Sequence, residues 1–316
     1  MQHEPDQSLC LALQGGGALG AFTWGVLDGL LCRQTAIEAI SGASAGAVNA
    51  VVLASGYLAN GPQGARDKLS GFWRRLSAMS PAGAGASAAL RGLSALSIDP
   101  SPALMNPLGF NPLARVLEEA VDFAELRRSS PIALFVSATR VRDGAARIFR
   151  TDEITLDVVL ASSCLPQFQR AVEIDGESYW DGGFSANPPL LELLRHTASR
   201  DLLVVELANA IPDTTSGAQI VQRLQQISLS ASLQRELQTV ASFQELVEGD
   251  PGAQSAIAQR MRGLRVHRLC AEKHLDLRSG DERDLAPGRQ GQMFEAGVSA
   301  AAGWLPKWVE TRAAAA

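Results

Sequence analysis

Apolar positions along the chain fall into two rhythms, short continuous runs and longer stretches with a helical repeat. Runs at residues 8–13, 36–41, 131–139, 201–207 and 264–270 have strand length and are apolar enough to be buried. Two shorter extended runs flank Asp175-Gly176, a hairpin signal, and residues 145–150 predict a strand beside 131–139 across an Arg-Asp-Gly turn. Helical spacing covers Phe22, Val26, Leu27, Leu30 and Leu31, then residues 45–55, then the face Leu69, Phe72, Trp73 and Leu76 within 66–76. It returns at 113–121, 156–163, 190–197, 218–247, 253–261 and 293–309. The last of these is broken at Pro306, with Trp304 and Trp308 sharing a core-facing side. Strand, tight turn and helix in repeated order predict an α/β fold, and no repeat or linker separates two cores.

Residues 77–112 break the rhythm. They are rich in Ala, Gly, Ser and Pro, and two readings stand: a flexible flap that meets lipid, or an irregular packed excursion. The uncharged run at 39–65 is diluted by glycines, serines, Asn49 and Asn60 and closed by Pro62, so it predicts a buried helix, not a membrane span.

Composition narrows the partners. A net charge of -5 over 316 residues gives no reason to expect nucleic acid. Arginines gather at Arg140, Arg142, Arg147 and Arg150, with Arg127 and Arg128 upstream, as either an anionic-lipid patch or a solvated face. Cys10, Cys32, Cys164 and Cys270 are dispersed and form no C-x-x-C pair, and the polar first eight residues do not read as a signal peptide. The expectation is a cytoplasmic protein with reduced thiols, at most peripheral to a membrane; oligomeric state is left open.

Candidate chemistry sits at two strand-to-helix turns. Gly42-Ala43-Ser44-Ala45-Gly46 fits the G-x-S-x-G nucleophile elbow, in which glycines flank a strained serine at the start of a helix. Upstream, Gln14-Gly15-Gly16-Gly17-Ala18-Leu19-Gly20 exposes several backbone N–H groups at a helix start, a cradle for an anion. Gly15, Gly17 and Gly20 also satisfy G-x-G-x-x-G, so a nucleotide-binding module is one reading. A dinucleotide site wants an acidic residue at the end of the next strand, whereas Glu38 lies near its start and the strand end leads into the serine elbow. The oxyanion reading is therefore the stronger.

A serine needs a base. His3, His196, His267 and His274 stand in no motif, and the elbow follows only the second strand, too early for a conventional Ser-Asp-His order. A buried carboxylate could take the proton directly, and Asp181, followed by Gly182 and Gly183, is the natural candidate.

Taken together, the glycine loop 14–20, the elbow 42–46 and Asp181-Gly182-Gly183, in this order, resemble the patatin-like phospholipase family. Ala161-Ser-Ser-Cys-Leu-Pro166 is similar to a segment that family carries shortly before its Asp-Gly-Gly. The resemblance implies a three-layer α/β/α fold with a mostly parallel central sheet and extra C-terminal helices. It implies a tail at 1–7, a catalytic domain at 8–208 and a helical extension at 209–316 packed on the same domain. It further implies a Ser44–Asp181 dyad, an oxyanion hole from the N–H groups of Gly15, Gly16, Gly17 and Ala18, and support from Gly42, Gly46, Gly182 and Gly183. The activity implied is hydrolysis of acyl esters in lipids, with no metal or cofactor; a non-catalytic lipid-binding scaffold is the other reading. Many members carry Arg or Lys where this chain has Leu19, which leaves phospholipid against neutral ester open.

Overall fold

The computed structural model describes residues 8–79, 111–207, 217–275 and 286–315. The segment 77–112 named above falls largely outside them, and so do 1–7 and 208–216. Its centre is an eight-stranded sheet in the order β5-β6-β3-β2-β1-β7-β8, with β4 also paired to β3. β1 (Leu9–Leu13), β2 (Ile37–Gly42), β3 (Ala133–Arg140), β7 (Asp201–Glu206) and β8 (Arg265–Cys270) run parallel. β4 (Ala146–Arg150), β5 (Val172–Ile174) and β6 (Glu177–Asp181) form the antiparallel end.

β1 shows why the sheet needs cover on both faces. Leu9, Leu11 and Leu13 join one apolar cluster while Cys10 and Ala12 join the other. On the first face lie α1 (Gly20–Cys32), α2 (Ala45–Met79), α3 (Pro112–Ala120), α4 (Phe123–Ser129), α5 (Leu156–Ser162) and the C-terminal α9 (Pro287–Ala315). On the second lie α6 (Leu190–Arg195), α7 (Gly217–Glu248) and α8 (Ala256–Gly263). The result is a three-layer arrangement.

The C-terminal part is joined to the rest by backbone contact. A Cβ on Gly25 would stand 2.0 Å from the Phe294 carbonyl oxygen, and one on Gly297 would stand 2.1 Å from that of Phe22. Helices α1 and α9 thus cross at a distance only glycine permits. Gln290 adds a hydrogen bond to the Trp73 carbonyl at 2.9 Å, and β8 extends the sheet itself.

The two helices expected over 45–55 and 66–76 are the two arms of α2, whose backbone leaves the helical conformation at Asn60 and at Gly61, φ 56°. Two local expectations differ from the fold. α4, which the apolar spacing did not signal, starts on Asp122, whose carboxylate accepts the Glu125 N–H at 2.9 Å. Pro306 does not break α9, because Pro306 and Ala302 both face solvent, where water can satisfy the carbonyl that proline leaves without a partner.

Candidate active site

The sheet register brings the candidate groups together. β2 ends at Gly42, paired with Val136 of β3, and β6 takes up the same edge of β3 further along, with Asp181 paired to Ala138. The last residue of β6 therefore lies just beyond the end of β2, where the chain turns into α2. Ser44 occupies that turn with φ 51°, the left-handed conformation expected of an elbow nucleophile. Gly42 and Gly46 make the turn possible: a Cβ on Gly46 would stand 2.0 Å from the Leu13 carbonyl oxygen, and one on Gly42 would stand 2.6 Å from the backbone of Gly46.

Asp181 is 2% exposed. Burial pushes its carboxyl up to about 7 from an ordinary 3.8, against the opposing pull of the Gly183 N–H that it accepts and of the nearby Ser44 hydroxyl. The Gly183 bond is 2.8 Å long. Thr139 donates to the Asp181 carbonyl at 2.7 Å, and the Asp181 N–H donates to the Cys164 carbonyl at 2.8 Å. Gly182 is obligatory, since a Cβ there would meet the Ser137 carbonyl oxygen at 2.2 Å. Burial also pushes the neighbouring Cys164 thiol up to about 11, so it stays protonated near neutral pH and offers no competing nucleophile.

The glycine loop approaches from β1. A Cβ on Gly15 would sit 2.8 Å from the Ser44 Cβ. Gly17 takes φ 56° and opens a short 3-10 turn, and the N–H groups of Gly16, Gly17 and Ala18 have no acceptor among the described residues. Gly15 departs from the sequence expectation: its N–H donates to Asn187 Oδ1 at 2.7 Å and is thereby occupied. Three donors remain where four were expected.

Asn187 and Ser162 are the residues that motif reading missed. Asn187, 1% exposed, also donates from Nδ2 to the Leu229 carbonyl at 2.8 Å and from its backbone to Ser232 Oγ at 3.1 Å. One side chain thus links the glycine loop, the segment after Asp181 and helix α7. Ser162 Oγ accepts the Ser44 N–H at 2.9 Å, so the 161–166 run holds Ser44 through Ser162 and Asp181 through Cys164. The sole hint in sequence was that run itself and the Asn-Pro-Pro after Asp181-Gly182-Gly183.

Other candidates lie elsewhere. His267 Nε2 contacts Asp201 Oδ1 at 2.9 Å at the opposite, N-terminal edge of the parallel strands; His196 pairs with Glu192. Glu38 accepts the N–H groups of Ala198 and Ser199 at 2.7 and 2.8 Å, so the carboxylate a ribose would need is occupied far from the glycine loop. The arginine cluster is spent internally: Arg140 pairs with Asp143, Arg142 with Glu177, Arg147 with Glu153, Arg150 with Glu192 and Arg128 with Glu125, while Arg127 donates to the Ile154 carbonyl. Of the two readings of that cluster, the solvated face fits these pairings.

A family model described as patatin-like phospholipase matches residues 11–194, more than half of the chain. The uncharacterized protein YjjU of Escherichia coli K12 is 30% identical over 203 residues, which cover 62% of this chain and 51% of that protein. The chain thus spans about half the length of the curated relative it matches. Among solved structures, VipD from Legionella pneumophila is similar with a TM-score of 0.48 and 16% identity, covering 95% of this chain and 67% of that one. The type III effector ExoU of Pseudomonas aeruginosa has a TM-score of 0.33 and 19% identity over 81% of this chain and 62% of that one. On the family match, which spans the glycine loop, the elbow and Asp181, the chain belongs to the patatin-like phospholipase family.

Proposed function

We propose that the protein is a serine lipid acyl hydrolase that cleaves carboxylic ester bonds with a Ser44–Asp181 dyad. Asp181, ionised, accepts the Ser44 proton as Ser44 Oγ attacks the ester carbonyl carbon. The negative charge that develops on the carbonyl oxygen is met by the N–H groups of Gly16, Gly17 and Ala18, which need no reorganisation to receive it. Asp181 returns the proton to the departing alcohol, leaving Ser44 acylated. A water molecule that gives its proton to Asp181 then releases the fatty acid, and the proton returns to Ser44. The observation that carries the proposal is the buried Asp181 carboxyl at the end of β6, beside the Ser44 turn and raised to about 7, the range a base needs near neutral pH.

In this reading residues 8–208 form the catalytic domain and 209–316 pack on it. Lipid substrates imply peripheral contact with a bilayer; among the described residues no helix is long and apolar enough to cross one. The test is fatty-acid release from phospholipid vesicles and labelling by a fluorophosphonate, with Ser44→Ala alongside. Both signals are expected to fall, release by ~10⁴-fold or more. Labelling and release near wild-type levels in Ser44→Ala would refute the dyad.

A further inference from the structure

Helix α7 presents a row of apolar side chains to solvent that nothing in the chemistry above uses. Ile220, Val221, Leu224 and Ile227 are 47%, 56%, 60% and 48% exposed. Their spacing places them on one side of the helix. Two residues after Ile227, Leu229 closes against the site: its side chain would meet a Cβ on Gly183 at 2.9 Å, and its carbonyl takes the Asn187 Nδ2 bond. On that same inner side Leu233, Val240 and Val247 lie in the core, while Phe243 and Leu246 further along the helix are again exposed. The exposed row is thus rigidly continuous with the segment that holds the glycine loop and the Asp181 turn.

The charge on this part of the helix has one sign. From Gly217 to Arg235 the helix carries Arg223 and Arg235 and no acidic residue, in a chain of net charge -5. The first carboxylate, Glu236, is turned inward, where it accepts the N–H groups of Leu190 and Leu191 at 2.6 and 2.8 Å. Helical phase puts Arg235 in line with the apolar row and Arg223 on its flank. An apolar stripe bordered by cations, with no outward acid, complements a surface that is apolar within and anionic at its face. A second copy of the chain is a poorer fit: four side chains offer on the order of 400 Å², about half of the roughly 800 Å² per partner in a standard interface.

We infer that the outer face of Ile220, Val221, Leu224 and Ile227, with Arg223 and Arg235, is a docking surface for an anionic lipid bilayer that brings the proposed hydrolase to its lipid. The inference rests on the proposed hydrolase only in its last clause, so binding and chemistry are tested apart.

The full chain with Ser44→Ala, which cannot consume the lipid, is sedimented with vesicles of phosphatidylcholine containing phosphatidylglycerol and with vesicles of phosphatidylcholine alone. Binding is expected to favour the anionic vesicles and to weaken with added salt. Val221→Gln with Leu224→Gln should cut binding about tenfold or more, since each buried aliphatic side chain is worth roughly a factor of ten. Arg223→Ala with Arg235→Ala should remove the preference for anionic vesicles while keeping the residual apolar binding. In the Ser44 background, the Val221/Leu224 pair should leave hydrolysis of a water-soluble short-chain ester unchanged and lower hydrolysis of vesicle lipid. Vesicle binding that is absent, or untouched by both pairs of substitutions, would overturn the docking surface whatever the enzyme does. So would light scattering that shows a wild-type dimer split by the Val221/Leu224 pair, which would assign the row to a second copy. Binding that behaves as expected without any ester hydrolysis would instead keep the surface and remove the hydrolase.

Discussion

Asp181→Asn tests the electrostatics of the site more sharply than it tests activity alone. Asn has the same shape, and its Oδ1 can still accept the Gly183 N–H. What disappears is the ionisation. Folding holds the Asp181 carboxyl at about 7 where an unhindered one sits at 3.8, so the folded chain keeps a proton that the unfolded chain has lost. The ionised carboxylate therefore lowers stability: the penalty is absent below the unfolded value, grows as pH rises from 3.8 to about 7, and is constant above. At ~1.36 kcal/mol per unit, a shift from 3.8 to about 7 amounts to about 4 kcal/mol at pH 8. The same arithmetic leaves about 2 kcal/mol at pH 5 and less than about 1 kcal/mol at pH 4. Neutral hydrogen bonds in place of charge-assisted ones take back about 1 kcal/mol. Asp181→Asn is thus expected to be more stable than wild type by about 3 kcal/mol at pH 8, with the gain shrinking to nothing as pH falls to 4. Equilibrium unfolding in urea at several pH values measures it, and ester hydrolysis on the same samples should be lost. Wild-type hydrolysis should rise with pH through about 7 as the base ionises. A stability difference that is flat with pH, or of opposite sign at pH 8, would refute the buried, protonated carboxyl.

Three further substitutions probe the frame. Asn187→Ala leaves the Gly15 N–H and the Leu229 carbonyl without their partner and frees the glycine loop to shift. A fall in kcat of ~10²-fold with KM little changed is expected, as for a misplaced oxyanion donor. Equal loss in both parameters, or none, would argue against that role. Gly297→Leu forces a side chain into the Phe22 carbonyl and is expected to lower stability by ~3 kcal/mol or more. Gly303→Ala in the same helix meets nothing and should raise stability by ~0.5–1 kcal/mol, both read by thermal unfolding.

What sequence disclosed and what it hid divide along a physical line. Gly42, Gly46 and Gly182 are legible because neighbouring backbone lies where a Cβ would go, at 2.0–2.6 Å, and only one residue type survives that. β1 and the elbow are legible because burial and turn strain are local. Asn187 leaves no such trace: a buried asparagine among loop residues reads as a turn former, and its partners are 172 and 42 positions away in the chain. The inward turn of Glu236 is hidden for the same reason, and with it the one-signed face of α7. Even the proposed dyad depends on a fact no local pattern carries, that β2 stops at Val136 of β3 and β6 continues along the same edge to Ala138. Had β6 paired one residue off, Asp181 would point to the other face of the sheet and away from Ser44. The hydrogen bonds from Asp181 to Cys164 and from Thr139 to Asp181 pin that register, which is why residues outside the proposed dyad decide whether its two members meet.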